Sequence, residues 1–214
     1  MAAQPPQSQP GLLGKLETPT DMKQQLATIF LLSLLAGSVP AQSVDQKIEK
    51  IRKLYAEVAE EVEQADKDPV EGSVKRGLVM NELTINKNNR VWAAVGTFRV
   101  TYKFYYEGGD AAPEPDRLVM VSVHSQHAGR FLTDEYLVGE DGSLLFYFAK
   151  ANRDGPHEQR VYFSNGKAIR VIEDEKARDK LTEEDAKHAR SIRGRWSEIR
   201  KLFEISNNDW HGGK

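Results

Sequence analysis

A-V-G-T-F-R-V-T-Y-K-F-Y-Y-E, residues Ala94–Glu107, decides the fold. On an extended chain, Phe98, Val100, Tyr102, Phe104 and Tyr106 fall on one side, and Thr97, Arg99, Thr101, Lys103 and Tyr105 on the other. A period of two with one apolar side, rich in β-branched and aromatic residues, predicts a strand on a half-buried pleated surface.

Most of the following chain repeats that pattern between turn signals. Gly77–Asn86 and Val91–Glu107 flank K-N-N and read as a hairpin. Glu107–Asp116 reads as a long loop, Arg117–His124 as the next strand and Ser125–Gly129 as a turn. Arg130–Gly139 and Ser143–Lys150 flank Asp141-Gly142, and Glu158–Ser164 and Lys167–Ile172 flank Asn165-Gly166. Both dipeptides signal two-residue hairpin loops. The count is about seven strands in a continuous antiparallel meander.

These turns set a register. Leu137 should face Phe146, with Glu135 opposite Phe148. On the reverse side Tyr136 should face Tyr147, Val138 should face Leu145, and Tyr162 should face Ile169. Both sides of the sheet are then apolar. One side is expected to take the helices; the other curls into a half-barrel or meets a partner.

Helical patterns lie on both flanks. Ser43 is a candidate N-cap for a helix whose apolar stripe is Val44, Ile48, Ile51, Tyr55, Val58 and Val62. It ends in Glu60, Glu61 and Glu63, against the preference of the macrodipole for cations there. Gln64–Arg76 reads as a polar connector. Thr182-Glu183-Glu184-Asp185 opens a second helix of roughly 25 residues, striped by Ala189, Ile192, Trp196, Ile199 and Phe203. Its basic half, with Arg190, Arg193, Arg195, Arg200 and Lys201, is a solvated face or a mate for the acidic end of the first helix. Gly194 interrupts it and suggests close approach to the sheet, and residues 207–214 read as a frayed tail.

Ahead of the first helix, Met1–Asp21 is Pro/Gln/Ser-rich without apolar periodicity and is expected to be disordered. Met22–Ala41 then has Lys23, the apolar run Leu26–Ala36 and the small-residue exit Val39-Pro40-Ala41. This is a signal-peptide layout, with cleavage expected after Ala41 and Met22 as the expected start. The apolar run is about half the roughly 20 residues a membrane span needs. The mature chain, 42–206 with its tail, is expected to be a single exported domain, periplasmic or secreted, with no membrane contact after cleavage.

Composition narrows the chemistry. A net charge of −2 gives no basic excess for nucleic acid, and the lack of cysteine excludes disulfides, thiolate metal sites and Cys nucleophiles. No phosphate loop, G-x-S-x-G, H-E-x-x-H or S-x-x-K occurs, so no cofactor is expected. His124, His127, Asp134 and Glu135 could be joined at a metal only if the turn bent His127 back across the sheet; turn histidines on the surface are the simpler reading. Glu135, on a face with Leu137, Phe146 and Phe148, is a candidate general acid because desolvation would raise its pKa. The simpler reading is a carboxylate at the sheet edge, or one paired with Lys150 or Arg99.

At Asp141–Lys150, D-G-S-L-L-F-Y-F-A-K, and at Arg160–Arg170, R-V-Y-F-S-N-G-K-A-I-R, the chain resembles exported bacterial proteins in which a helix precedes a meander. The resemblance covers the last four strands and brings no activity with it. The sequence therefore predicts an α+β domain, a curved antiparallel meander packed by an N-terminal and a long C-terminal helix. The expected function is a non-catalytic binding or structural module, with Tyr136, Val138, Leu145, Tyr147, Tyr162 and Ile169 as its surface for a protein or small apolar ligand. Two alternatives are a secreted hydrolase using Glu135, and a carrier holding an apolar ligand between sheet and last helix.

Overall fold

A computed structural model describes residues 43–67, 77–94, 96–108, 115–152 and 156–208, which fall in one compact unit. The leader, the signal segment Met22–Ala41 and most of the loop after Glu107 lie outside them. The chain runs α1 (Val44–Lys67), β1 (Leu78–Ile85), β2 (Val91–Trp92), β3 (Gly96–Gly108), β4 (Pro115–His127) and β5 (Arg130–Val138). It continues through β6 (Leu144–Asn152), β7 (Pro156–Ser164), β8 (Lys167–Glu173), β9 (Lys176–Arg178) and α2 (Glu183–Asn208). The fold is α+β. One open antiparallel sheet runs β1-β3-β4-β5-β6-β7-β8-β9, with β2 added to the start of β3. The seven long strands are those expected. The strand expected over Val91–Glu107 divides into the short β2, ending at Trp92, and β3, starting at Gly96; β9 is additional, and β4 continues through Ser125–His127, where the sequence predicts a turn.

The helices do not share a face. Ile48, Ile51 and Val58 of α1 pack with Tyr105, Leu137, Phe146 and Tyr162. Ala189, Ile192, Trp196, Ile199 and Phe203 of α2 pack with Phe104, Tyr136, Tyr147 and Phe163. Consecutive residues Phe104, Tyr105 and Tyr106 are thus all buried, because alternation sends them under different helices. The expected half-barrel or open second face gives way to a sheet covered on both sides. It also separates the acidic end of α1 from the basic half of α2, so they do not pair.

Two bulges depart from the expected register. Leu137 faces Phe146, Glu135 faces Phe148 and Tyr136 faces Tyr147, but Val138 faces Leu144. Asp141-Gly142 is not a two-residue loop. Gly142 N–H donates to the Gly139 carbonyl at 2.9 Å and Gly142 has φ 74°, so a turn centred on Glu140 and Asp141 is followed by a left-handed glycine. The extra residue on β6 is Leu145, which packs toward α1. At Asn165-Gly166 both residues have positive φ, as a two-residue hairpin requires, and Phe163 faces Ala168. The next pair is Tyr162 with Arg170, so Ile169 is the extra residue there, also on the α1 side.

Both helices start as their sequences suggest. Ser43 Oγ accepts from Gln46 N–H, and Gln46 Oε1 accepts from Ser43 N–H, a reciprocal capping box. Thr182 Oγ1 accepts from Asp185 N–H at 3.1 Å, while Asp185 accepts from Thr182 and from Arg178. These contacts, with the Arg178 hydrogen bond foremost, hold the Asp185 carboxyl down to about 2. α2 runs on to Asn208, with Asn207 buried and its Oδ1 accepting from Asn81 Nδ2 at 3.1 Å, so the tail does not begin at 207.

Gly194 is not a point of close approach: the position of a Cβ on it meets nothing within 4 Å. Gly194→Ala should therefore stabilise the protein by about 1 kcal/mol through helix propensity alone. Urea denaturation checks this; a loss of stability would show that packing needs the glycine.

Candidate functional site

α1 is clamped to the sheet near both ends. Asp45, in its first turn, accepts from Arg170 of β8 at 2.9 Å. Asp66, in its last turn, accepts from Lys103 Nζ at 2.8 Å and from the Tyr105 hydroxyl at 3.0 Å. Between the clamps Ile48, Ile51 and Val58 pack into the sheet, and the side of the helix that carries Arg52 and Tyr55 borders open space. A cavity of about 310 Å³ remains, lined by Ile51, Arg52, Tyr55, Phe146, Arg160, Tyr162 and Ile172.

Its walls are aromatic and braced. Tyr55 meets Phe146 edge-on at 4.8 Å between ring centres, and Phe146 meets Tyr162 at 4.9 Å. Two guanidinium groups sit among these rings. Arg52 Nε donates to the Tyr162 hydroxyl at 3.2 Å, and its guanidinium carbon lies 5.8 Å from that ring's centre. Among the described residues no carboxylate pairs with Arg52. Arg160 lies over Phe148 at 5.5 Å and donates to Glu158 at 2.7 Å, while Lys150 approaches the same carboxylate at 3.6 Å. The cavity is therefore apolar with a cationic rim, and Arg52 is the less compensated charge.

Glu135 stands behind this wall, where it accepts a hydrogen bond from the Tyr55 hydroxyl. Neither Lys150 nor Arg99 is its partner. Burial pushes its carboxyl above the usual range, opposed by the Tyr55 hydrogen bond and the nearby His124. Burial and the Glu135 charge push the Tyr55 phenol up in turn, so Tyr55 donates rather than ionises. Glu135 thus orients a cavity-lining ring. The tertiary contact spans 80 residues of chain, and no local pattern announces it.

The other residues singled out in the sequence are dispersed. Tyr136, Val138 and Tyr147 are core under α2, whereas Tyr162, Leu145 and Ile169 pack toward α1. Tyr136, Val138, Tyr147 and Tyr162 are buried. The six residues do not form one open surface; the bulges and the second helix cover remove it. Only Tyr162 reaches the cavity. His124 faces Thr133 and Thr101, while His127 stacks on Phe98 at 6.1 Å from the opposite face. Among the described residues no group of three or more His, Asp and Glu could hold a metal ion.

Asp134 lies under α2, where its Oδ1 accepts from the Tyr147 hydroxyl at 2.7 Å and its Oδ2 lies 3.4 Å from Arg195. Burial raises this carboxyl, and both partners hold it back. The Tyr136 ring stacks on Trp196 at 5.9 Å. The cluster pairs the Tyr147 hydroxyl with Asp134 but leaves the buried Tyr136 hydroxyl without a hydrogen-bond partner among the described residues. Apolar side chains open to solvent include Leu83, Ile85, Val91 and Trp92 near the β1 edge, with Phe131 on β5 and Ile205 on α2.

No protein-family model, curated protein or solved structure matches the chain. Among the described residues no helix is long and apolar enough to cross a membrane.

The raised Glu135 carboxyl makes a signed prediction. A carboxyl whose folded pKa lies above its unfolded value of about 4.5 contributes stability at low pH. That contribution is lost as pH rises through the folded pKa. Glu135→Gln keeps an acceptor for Tyr55 and removes the titration. The variant should therefore gain on wild type as pH rises from 4 through the raised value, measured by urea denaturation at each pH. A constant difference between the two would exclude the raised pKa.

Proposed function

We propose that the protein is an exported, non-catalytic binding module, and that the cavity beneath α1 takes a small, flat, largely apolar molecule bearing one carboxylate or sulfonate. The observation that carries this reading is Arg52: a guanidinium without a described carboxylate partner, fixed by Tyr162 at the edge of an aromatic-walled cavity. Small-molecule sites combine apolar walls with a few placed polar groups in this way, and about 300 Å³ is the lower end of their usual volume. Arg supplies a planar donor fork suited to an oxyanion. The apolar ligand expected between sheet and last helix is thereby relocated to the first helix.

The hydrolase alternative is less well supported, because the Glu135 carboxylate is engaged by Tyr55 behind the cavity wall. Export is the part of the proposal that rests on Met22–Ala41, and it has its own test. N-terminal sequencing of protein recovered from its native host should begin at Gln42; a chain still carrying residues 22–41 would overturn it.

Anilinonaphthalene sulfonate, a fluorescent apolar anion, is a direct probe of the cavity. Native protein should bind it saturably at one site, and Arg52→Ala should weaken binding by about tenfold or more, the usual loss for a hydrogen bond to a charged group. The melting temperature should change little, since Arg52 is exposed. Unchanged binding in the Arg52 variant would refute the assignment. Mass spectrometry under native conditions would then identify any ligand that co-purifies.

A further inference from the structure

α2 carries a second stripe beside its buried one. Arg190, Arg193, Gly194, Ser197 and Arg200 recur at three- and four-residue spacing along one side of the helix. They form one wall of a groove of about 540 Å³, whose other wall is made by the tips of the β5–β6 and β7–β8 hairpins at Gly142, Ser143 and Gly166. Phe163 and Trp196 contribute its apolar lining. This groove lies on the face opposite the α1 cavity and does not depend on the reading of that site.

Three observations converge on its chemistry. Arg190 and Arg193 have no carboxylate partner among the described residues, and Arg200 has only Glu204 at 3.2 Å, an exposed pair one turn along the same helix. Arg193 is set against the β7–β8 turn, its Nη2 4.0 Å from where a Cβ on Gly166 would stand. Gly194 weakens the helix without any packing need, since a Cβ there would meet nothing within 4 Å. A larger side chain at that position would project into the groove, between the arginines. A helix-weakening residue that keeps open a groove beside Arg190 and Arg193, neither with a described carboxylate partner, fits a ligand contact and meets no packing need of the fold.

We propose that the α2 groove binds a small polyvalent oxyanion, with two or three charged groups of the phosphate or carboxylate type. Guanidinium forks match both geometries, and the volume suits a small molecule. At 1.5 Å per residue Arg190 and Arg193 are about 4.5 Å apart along the helix and Arg200 about 10.5 Å further on, so a ligand with two or three charged groups engages more of the stripe than one with a single charged group.

Isothermal titration calorimetry on the full mature protein at low ionic strength tests this with inorganic tripolyphosphate, citrate and inorganic phosphate. Tripolyphosphate or citrate should bind at one site at least tenfold more tightly than phosphate, and whichever is tighter distinguishes a phosphate from a carboxylate source. R190A/R193A should lose tenfold or more in affinity while melting as wild type does. G194L should melt at or above the wild-type temperature yet also lose tenfold or more, a divergence that a purely structural glycine would not produce. Phosphate binding as tight as tripolyphosphate, no saturable heat from either polyvalent ion, or undiminished affinity in R190A/R193A or G194L would each overturn the proposal.

Discussion

A pleated layer that is apolar on both faces cannot rest against water on either, and the rest of this molecule answers that constraint. Phe104 and Tyr105, adjacent in sequence, are each 1% exposed although they point in opposite directions. The pattern recurs at Tyr136 and Leu137 and at Val161 and Tyr162. Burial on both faces is commonest in parallel sheets flanked by helices. Here it is achieved in an antiparallel meander, with one helix drawn from each end of the strand series. At about 25 cal/mol per Å² of apolar surface, leaving either face open would forfeit much of what holds the fold together.

The two covers are made differently, and the difference positions the candidate sites. α2 presses a continuous stripe of Ile192, Trp196, Ile199 and Phe203 into the sheet and leaves its polar tips to Asp134, Tyr147 and Arg195. α1 is pinned at Asp45 and Asp66 and packs Ile48, Ile51 and Val58 into the sheet between them, with an open cleft beside Arg52 and Tyr55. One cavity lies at the edge of the first helix, while on the other face an open groove lies beside the second helix, against the hairpin tips. Arginines without described carboxylate partners border both spaces, a consistent placement of charge where ligands rather than protein groups can answer it.

Much of the architecture was legible because it is written in short-range periodicity. The strand alternation at Ala94–Glu107, the stripe from Ala189 to Phe203 and the capping residues Ser43 and Thr182 each act within one element. What alternation cannot say is which helix covers which face, since it reports that residues share a side and not what lies above it. The six residues grouped as one surface illustrate this. Leu145 and Ile169 are the extra residues of two bulges, and each resets the side on which its neighbours fall. Asp141-Gly142 looked like a two-residue turn, but the left-handed glycine sits one position past the turn's centre. Glu135 was picked out by its apolar neighbours, and its raised pKa follows from the same burial. Its partner Tyr55 lies on a distant helix, a relation visible only once the chain is folded.

The order of the elements along the chain has a consequence for biogenesis. α1 precedes every strand, so its face of the sheet can be roofed as the ribbons emerge. α2 follows every strand, so Phe104, Tyr136, Tyr147 and Phe163 have no roof until residues 183–208 have been synthesised. A nascent chain halted before that point carries a wide oily flank, which is the kind of surface that holdase chaperones engage.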